Sequence, residues 1–181
     1  NRSVSGKKWK RTPKRERAVS KFTAIRQLVS AFQFVLGSQS PWRRAARLYG
    51  RAGQTGENFF FSRNHGYVAV DGRGVSDFYH FKLSIGRLLL PSGFRLTRAG
   101  NLFTLEWDVE EEQFLASFTD LLHVGIIYDS EPDGLELANV GSVCRSDGKV
   151  VFTLDSCPGT HVHLYPFFGR EDNSDFSDSD Y

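Results

Sequence analysis

The chain has 181 residues, 40% of them hydrophobic and sixteen of them Phe, enough apolar side chain to build a core. Its 23 Lys and Arg and 21 Asp and Glu leave a formal net charge of +2, and two Cys are too few for a disulfide framework. No apolar run approaches the roughly eighteen residues needed to cross a bilayer, and the N-terminus lacks the apolar stretch of a signal peptide, so no membrane span is expected.

The near-neutral total conceals a strong polarity. Residues 1–51 hold fourteen Lys and Arg against one acid, Glu16, a balance of +13; the rest of the chain holds nine bases and twenty acids, a balance of −11. A molecule so divided is suited to docking on a polyanion or on an acidic protein surface.

Residues 1–11 are polar and basic with Trp9 as the only large apolar group, and they read as an arm without a fold of its own. Residues 12–77 read as a helical and irregular N-terminal region. Thr12 is a cap and Pro13 suits the first helical position; Ala18, Phe22, Ile25, Leu28, Val29, Phe32, Val35 and Leu36 then recur at helical spacing until Gly37. This predicts a long amphipathic helix of roughly 24 residues, about 36 Å. Its first turn carries Lys14, Arg15 and Arg17, the wrong sign for a helix N-terminus. The inversion returns at Ser40-Pro41, where Arg43, Arg44 and Arg47 populate a short helix ending near Gly50. Local stability does not explain these cations, so an external demand for positive charge does; the plain alternative is a solvated basic face. Residues 51–76 are rich in Gly, Asn and aromatics, with a helical turn expected at 57–61 and a short strand at 67–70.

From residue 78 the period becomes two. Phe103, Leu105, Trp107 and Val109 alternate with Leu102, Thr104, Glu106 and Asp108, 121–128 is apolar on both faces, and Val150, Phe152 and Leu154 alternate, as do Val162, Leu164, Pro166 and Phe168. Turn signals fall at Pro91-Ser92-Gly93, Pro132-Asp133-Gly134, Asp147-Gly148 and Pro158-Gly159. The fold class is therefore mostly β with N-terminal helices: residues 78–181 as an antiparallel β-sandwich of the immunoglobulin or fibronectin type III kind, with seven or so strands. Trp107 and Tyr165 are expected as core aromatics between the two sheets. Ser146-Asp147-Gly148-Lys149 reads as a hairpin turn that sets Cys144 opposite Val151, leaving Cys144 and Cys157 as free thiols.

Several motifs recur in a familiar order: Trp9-Lys10-Arg11-Thr12-Pro13, Arg26-Gln27, Ala31-Phe32, Asn64, Leu83-Ser84-Ile85-Gly86-Arg87-Leu88, Phe103-Thr104-Leu105-Glu106-Trp107, Asp120 ahead of 124–128, and a closing Ser177-Asp178-Ser179-Asp180-Tyr181. In that order the chain resembles a family of short uncharacterised Bacteroidota proteins. The resemblance implies an architecture, a basic and helical N-terminal segment followed by a sandwich, and carries over no catalytic residue.

Signatures of chemistry are weak. His161 and His163, on one face of a strand with Cys144 and Cys157 nearby in sequence, form the best metal candidate, but the spacing matches no structural zinc pattern. No Gly-x-Ser-x-Gly elbow or P-loop ending occurs, and the acidic runs at 110–112 and 172–180 lack the alternation of a calcium loop. The expectation is thus no enzyme, no cofactor and no metal. The favoured function is a structural or assembly protein whose basic arm docks on an acidic partner, another copy included, since a +13 end and a −11 body are complementary head to tail. The contact residues would be Lys7, Lys8, Trp9, Lys10, Arg11, Lys14, Arg15, Arg43, Arg44 and Arg47. The alternatives are sequence-independent nucleic-acid or nucleoprotein binding by the same cations, and a surface or carbohydrate-binding module using the aromatics Trp42, Tyr67 and Tyr79.

Overall fold

The computed structural model describes residues 12–36, 41–69, 74–154 and 161–181. Among these residues three helices come first: α1 (Pro13–Leu36), α2 (Pro41–Tyr49) and α3 (Gly56–Asn64). Thr12 and Pro13 open α1, with the amides of Arg15 and Glu16 bonded to the Thr12 carbonyl at 2.9 and 3.0 Å. Thr55 caps α3 by accepting from the Asn58 amide at 3.2 Å, and Glu57 and Arg63 sit at the ends that suit the helix dipole. In α2 no acid occupies the first turn, while Pro41, Trp42, Ala45 and Ala46 are buried.

Regular strands begin only at Arg95, later than the change of period at 78 suggests. Residues 74–94 are turns, bends and isolated bridges, among them Val68 with Val75, where a strand at 67–70 is expected. Among the described residues six strands follow: β1 (Arg95–Ala99), β2 (Leu102–Glu106), β3 (Leu121–Tyr128), β4 (Glu131–Leu137), β5 (Lys149–Thr153) and β6 (Val162–Gly169). They form two antiparallel three-stranded sheets, β1-β2-β5 and β4-β3-β6.

Apolar side chains fall into two clusters, and the β4-β3-β6 sheet contributes to both. Leu122, Val124, Ile126 and Tyr128 of β3 and Phe168 of β6 pack with Phe103, Leu105, Trp107, Val150, Phe152 and Leu154 from the β1-β2-β5 side. Ile127, Leu135, Tyr165 and Phe167 pack with Ile25, Leu28 and Val29 of α1, Trp42, Ala45 and Ala46 of α2, and Phe59 and Phe60 of α3. This explains why β3 is apolar on both faces: successive side chains point to opposite sides and each side is covered. It also corrects an expectation, because Trp107 lies in the inter-sheet cluster whereas Tyr165 faces the helices, its hydroxyl donating to the Phe78 carbonyl at 2.8 Å.

The expected hairpin at 146–149 does not form. Residues Arg145–Asp147 make one 3-10 turn closed by Gly148 at φ 66°, Cys144 bridges Leu121, and Val151 pairs with Thr104 of β2. The reason is Arg145. Its side chain is buried against Asp120, and its amide bonds to the Asp120 carbonyl at 2.9 Å, which draws residues 143–145 to the start of β3.

The segment 82–88 ties the helices to the C-terminal tail. Asn64, fully buried, accepts from the Lys82 amide at 2.9 Å and donates to the Lys82 carbonyl at 3.0 Å, and Trp42 Nε1 donates to the Leu83 carbonyl at 2.8 Å. From the tail, Ser179 Oγ accepts from the Leu83 amide at 3.0 Å, Ser177 accepts from Ser84 Oγ at 2.7 Å, and Asp175 pairs with Arg87 at 2.8 Å. The Ser-Asp-Ser-Asp run therefore alternates like a strand: Ser177 and Ser179 are buried while Asp178 and Asp180 are exposed. Gly86 permits this closeness, since a Cβ there would fall 1.8 Å from the Phe176 carbonyl oxygen.

Candidate functional site

Of the residues singled out for partner contact, Lys7, Lys8, Trp9, Lys10 and Arg11 lie outside the described residues. Lys14 and Arg15 are exposed on the first turn of α1. On α2 the buried face of Trp42, Ala45 and Ala46 turns Arg43 and Arg47 outward as an exposed i, i+4 pair, with Arg44 half-buried between them. Trp42, named above among surface aromatics, is 2% exposed and belongs to the core. The spacing of Trp42, Ala45 and Ala46 with Tyr49 on one face already carried that signal.

Neutralisation of charge is uneven. In the strand region Arg87, Arg95, Arg145, Lys149 and Arg170 each sit against a carboxylate, those of Asp175, Asp108, Asp120, Glu106 and Asp120 respectively. Among the described residues no carboxylate pairs with Lys14, Arg15, Arg43, Arg44 or Arg47, and no base pairs with the exposed Glu111, Asp133 and Glu136.

His161 and His163 do not converge. His161 Nδ1 lies 3.1 Å from Asp129 Oδ2, whereas His163 Nδ1 lies 2.8 Å from the Tyr181 hydroxyl and its ring stacks on Phe78 with centroids 3.6 Å apart. Burial pushes the His163 imidazole below its usual range, because the neutral ring stacks there without a cation's desolvation cost. No group of three His, Cys, Asp or Glu among the described residues is arranged to hold a metal. Cys144 is a free thiol raised by burial and by the nearby Asp147 and Glu171, the opposite of an activated nucleophile. Cys157 lies outside the described residues.

Tyr67 and Tyr79, two of the aromatics named for a carbohydrate-binding surface, line a cleft of about 420 Å³ where three segments of chain meet, which sequence reasoning did not foresee. The end of α3 supplies Arg63, the turns that follow supply Tyr67, Tyr79, His80 and Lys82, and the tail supplies Asp178, Asp180 and Tyr181. Its walls are held in place. Tyr67 stacks on His80 at 5.6 Å, His80 is fixed by Asp77 at 2.9 Å, Lys82 Nζ donates to the Ser179 carbonyl at 3.0 Å, and Asp178 Oδ1 accepts from the Gly86 amide at 3.0 Å. Tyr79 meets Tyr181 edge to face at 5.7 Å yet is 68% exposed. The hydrogen bond with His80 holds the Asp77 carboxyl below the usual carboxylate range.

No family model matches the chain, and no curated protein or solved structure is significantly similar to it.

Proposed function

We propose that this is a non-catalytic structural or assembly protein whose basic N-terminal segment docks on an acidic surface, that of a neighbouring copy. The observation that carries this reading is the uneven neutralisation: Arg87, Arg95, Arg145, Lys149 and Arg170 are paired with carboxylates within the molecule, while Lys14, Arg15, Arg43, Arg44 and Arg47 have no carboxylate partner among the described residues. A basic helix laid on the acidic body of its own molecule would show such pairs. Exposed Glu111, Asp133 and Glu136 offer the opposite charge to another copy. A contact between unlike surfaces is heterologous, so it propagates into a ring or a filament.

We further infer that the body is a sandwich of the immunoglobulin or fibronectin type III kind. The sheet orders β1-β2-β5 and β4-β3-β6 correspond to strands A-B-E and C′-C-F of that topology. The resemblance to the Bacteroidota family favours the same architecture and adds no activity.

Sedimentation of the purified, nuclease-treated full chain tests the docking. Assembly at low salt that dissolves as salt is raised, and that is lost in Arg43→Glu/Arg47→Glu and in a variant with Lys7, Lys8, Lys10 and Arg11 neutralised, supports it. A complex that nuclease destroys, releasing nucleotides, replaces it with nucleic-acid binding. A chain that stays monomeric at low salt and binds neither acidic protein nor nucleic acid leaves only a solvated basic face and sinks the reading.

A further inference from the structure

We infer that the cleft between α3, the turns that carry Tyr67 and residues 79–82, and the C-terminal tail binds a neutral saccharide. Four features of the lining point to that chemistry. Its formal charges cancel: Arg63 and Lys82 face Asp178 and Asp180, so neither a polyanion nor a polycation is favoured. The same groups supply strong donors and strong acceptors side by side, which suits hydroxyl groups, each able to give and to take a hydrogen bond. Tyr67, Tyr79 and Tyr181 add aromatic surface with polar tips, and Tyr79 leaves most of its ring in solvent, as a platform for the C–H face of a sugar ring requires. Finally, the volume of about 420 Å³ falls within the range of small-molecule sites, and the cleft opens to solvent so that a longer chain can run through it.

The site is built rather than incidental. Lys82 is gripped by Asn64 through its backbone, Asp178 by Gly86, His80 by Asp77 and Tyr181 by His163, so little ordering remains for a ligand to drive. Asp178 spends Oδ1 on the Gly86 amide and keeps Oδ2 for a ligand. Lys14, Arg15, Arg43, Arg44 and Arg47, the described cations assigned to the docking of the basic segment, do not line the cleft, so the two proposals are tested separately.

The test is affinity electrophoresis and calorimetry of the full chain with maltohexaose, cellohexaose, xylohexaose and soluble mannan as probes. Binding of at least one probe, weakened about tenfold or more in Tyr79→Ala and in Asp180→Ala, is expected, a tenfold change being about 1.4 kcal/mol. Tyr79 and Asp180 are exposed, so both variants should keep the fold, checked by an unchanged thermal transition. Phe114→Ala, at an exposed position outside the cleft lining, should bind like the parent chain. Because the ligand is neutral, binding should hardly change between low and high salt, unlike the docking of the basic segment. Failure of every probe at millimolar concentration, or binding that Tyr79→Ala and Asp180→Ala leave intact, overturns the proposal.

Discussion

Replacing Asp120 by Ala strands a cation in the interior. Asp120 is 0% exposed and lies 3.3 Å from Nε of Arg145 and 2.9 Å from Nη1 of Arg170. Arg170 keeps a route to water, but Arg145 is 4% exposed, stacked 4.5 Å over the Phe168 ring and bonded to the Leu89 carbonyl at 2.6 Å. Burial already pulls its guanidinium below the ordinary range, with Asp120 as the first compensating charge. Removing one partner of a buried pair costs about 3–5 kcal/mol, because the remaining charge is desolvated and unmatched. For a chain of this size that corresponds to a fall in Tm of roughly 6–20 °C. Denaturant unfolding of Asp120→Ala measures the loss directly, and it should persist in high salt, since buried charges are little screened. Adding Arg145→Met should recover part of the loss, as a thioether fits over Phe168 without needing a counter-charge. A loss below about 1 kcal/mol, the worth of an exposed pair, would refute the reasoning.

Three more outcomes follow from the packing. Trp107→Ala should cost about 3–5 kcal/mol in denaturant unfolding, since the ring is 3% exposed and its Nε1 donates to the Arg145 carbonyl at 2.8 Å; a loss under 1 kcal/mol would place it outside the inter-sheet core. Gly86→Ala should loosen the C-terminal tail, because the new Cβ would meet the Phe176 carbonyl; faster amide exchange at 176–179 with slower change in β3 checks this, and unchanged exchange contradicts it. His123, stacked on Phe167 at 5.0 Å, is pushed below its usual range by burial, so the unfolded chain takes up protons first. Stability should therefore fall as pH drops below about 6.5, and His123→Gln should flatten that slope between roughly pH 7 and 5; an equal slope in the variant would count against a buried neutral imidazole.

Alternation made part of the fold legible without coordinates. Phe103, Leu105 and Trp107, and Val150, Phe152 and Leu154, line one cluster, as a period of two requires, while Val151 between them is 49% exposed. Pro13 and the cations of α1 and α2 were equally readable, because caps, helix starts and charge are properties of a few adjacent residues. What the sequence alone could not assign was which neighbour covers each face. An apolar run at 121–128 says that both sides of a strand are buried; only the tertiary structure decided that one side meets helices and the other a second sheet. Trp42 is inside because its indole reaches Leu83, and the cleft exists because Leu83 and Lys82 are bonded to Ser179, contacts between residues 41, 96 and 97 positions apart. Local periodicity carries no information about such pairings: they are selected by the shape and hydrogen-bonding needs of the whole packed chain, which is why Asn64, Arg145 and the tail serines acquired their roles only in three dimensions.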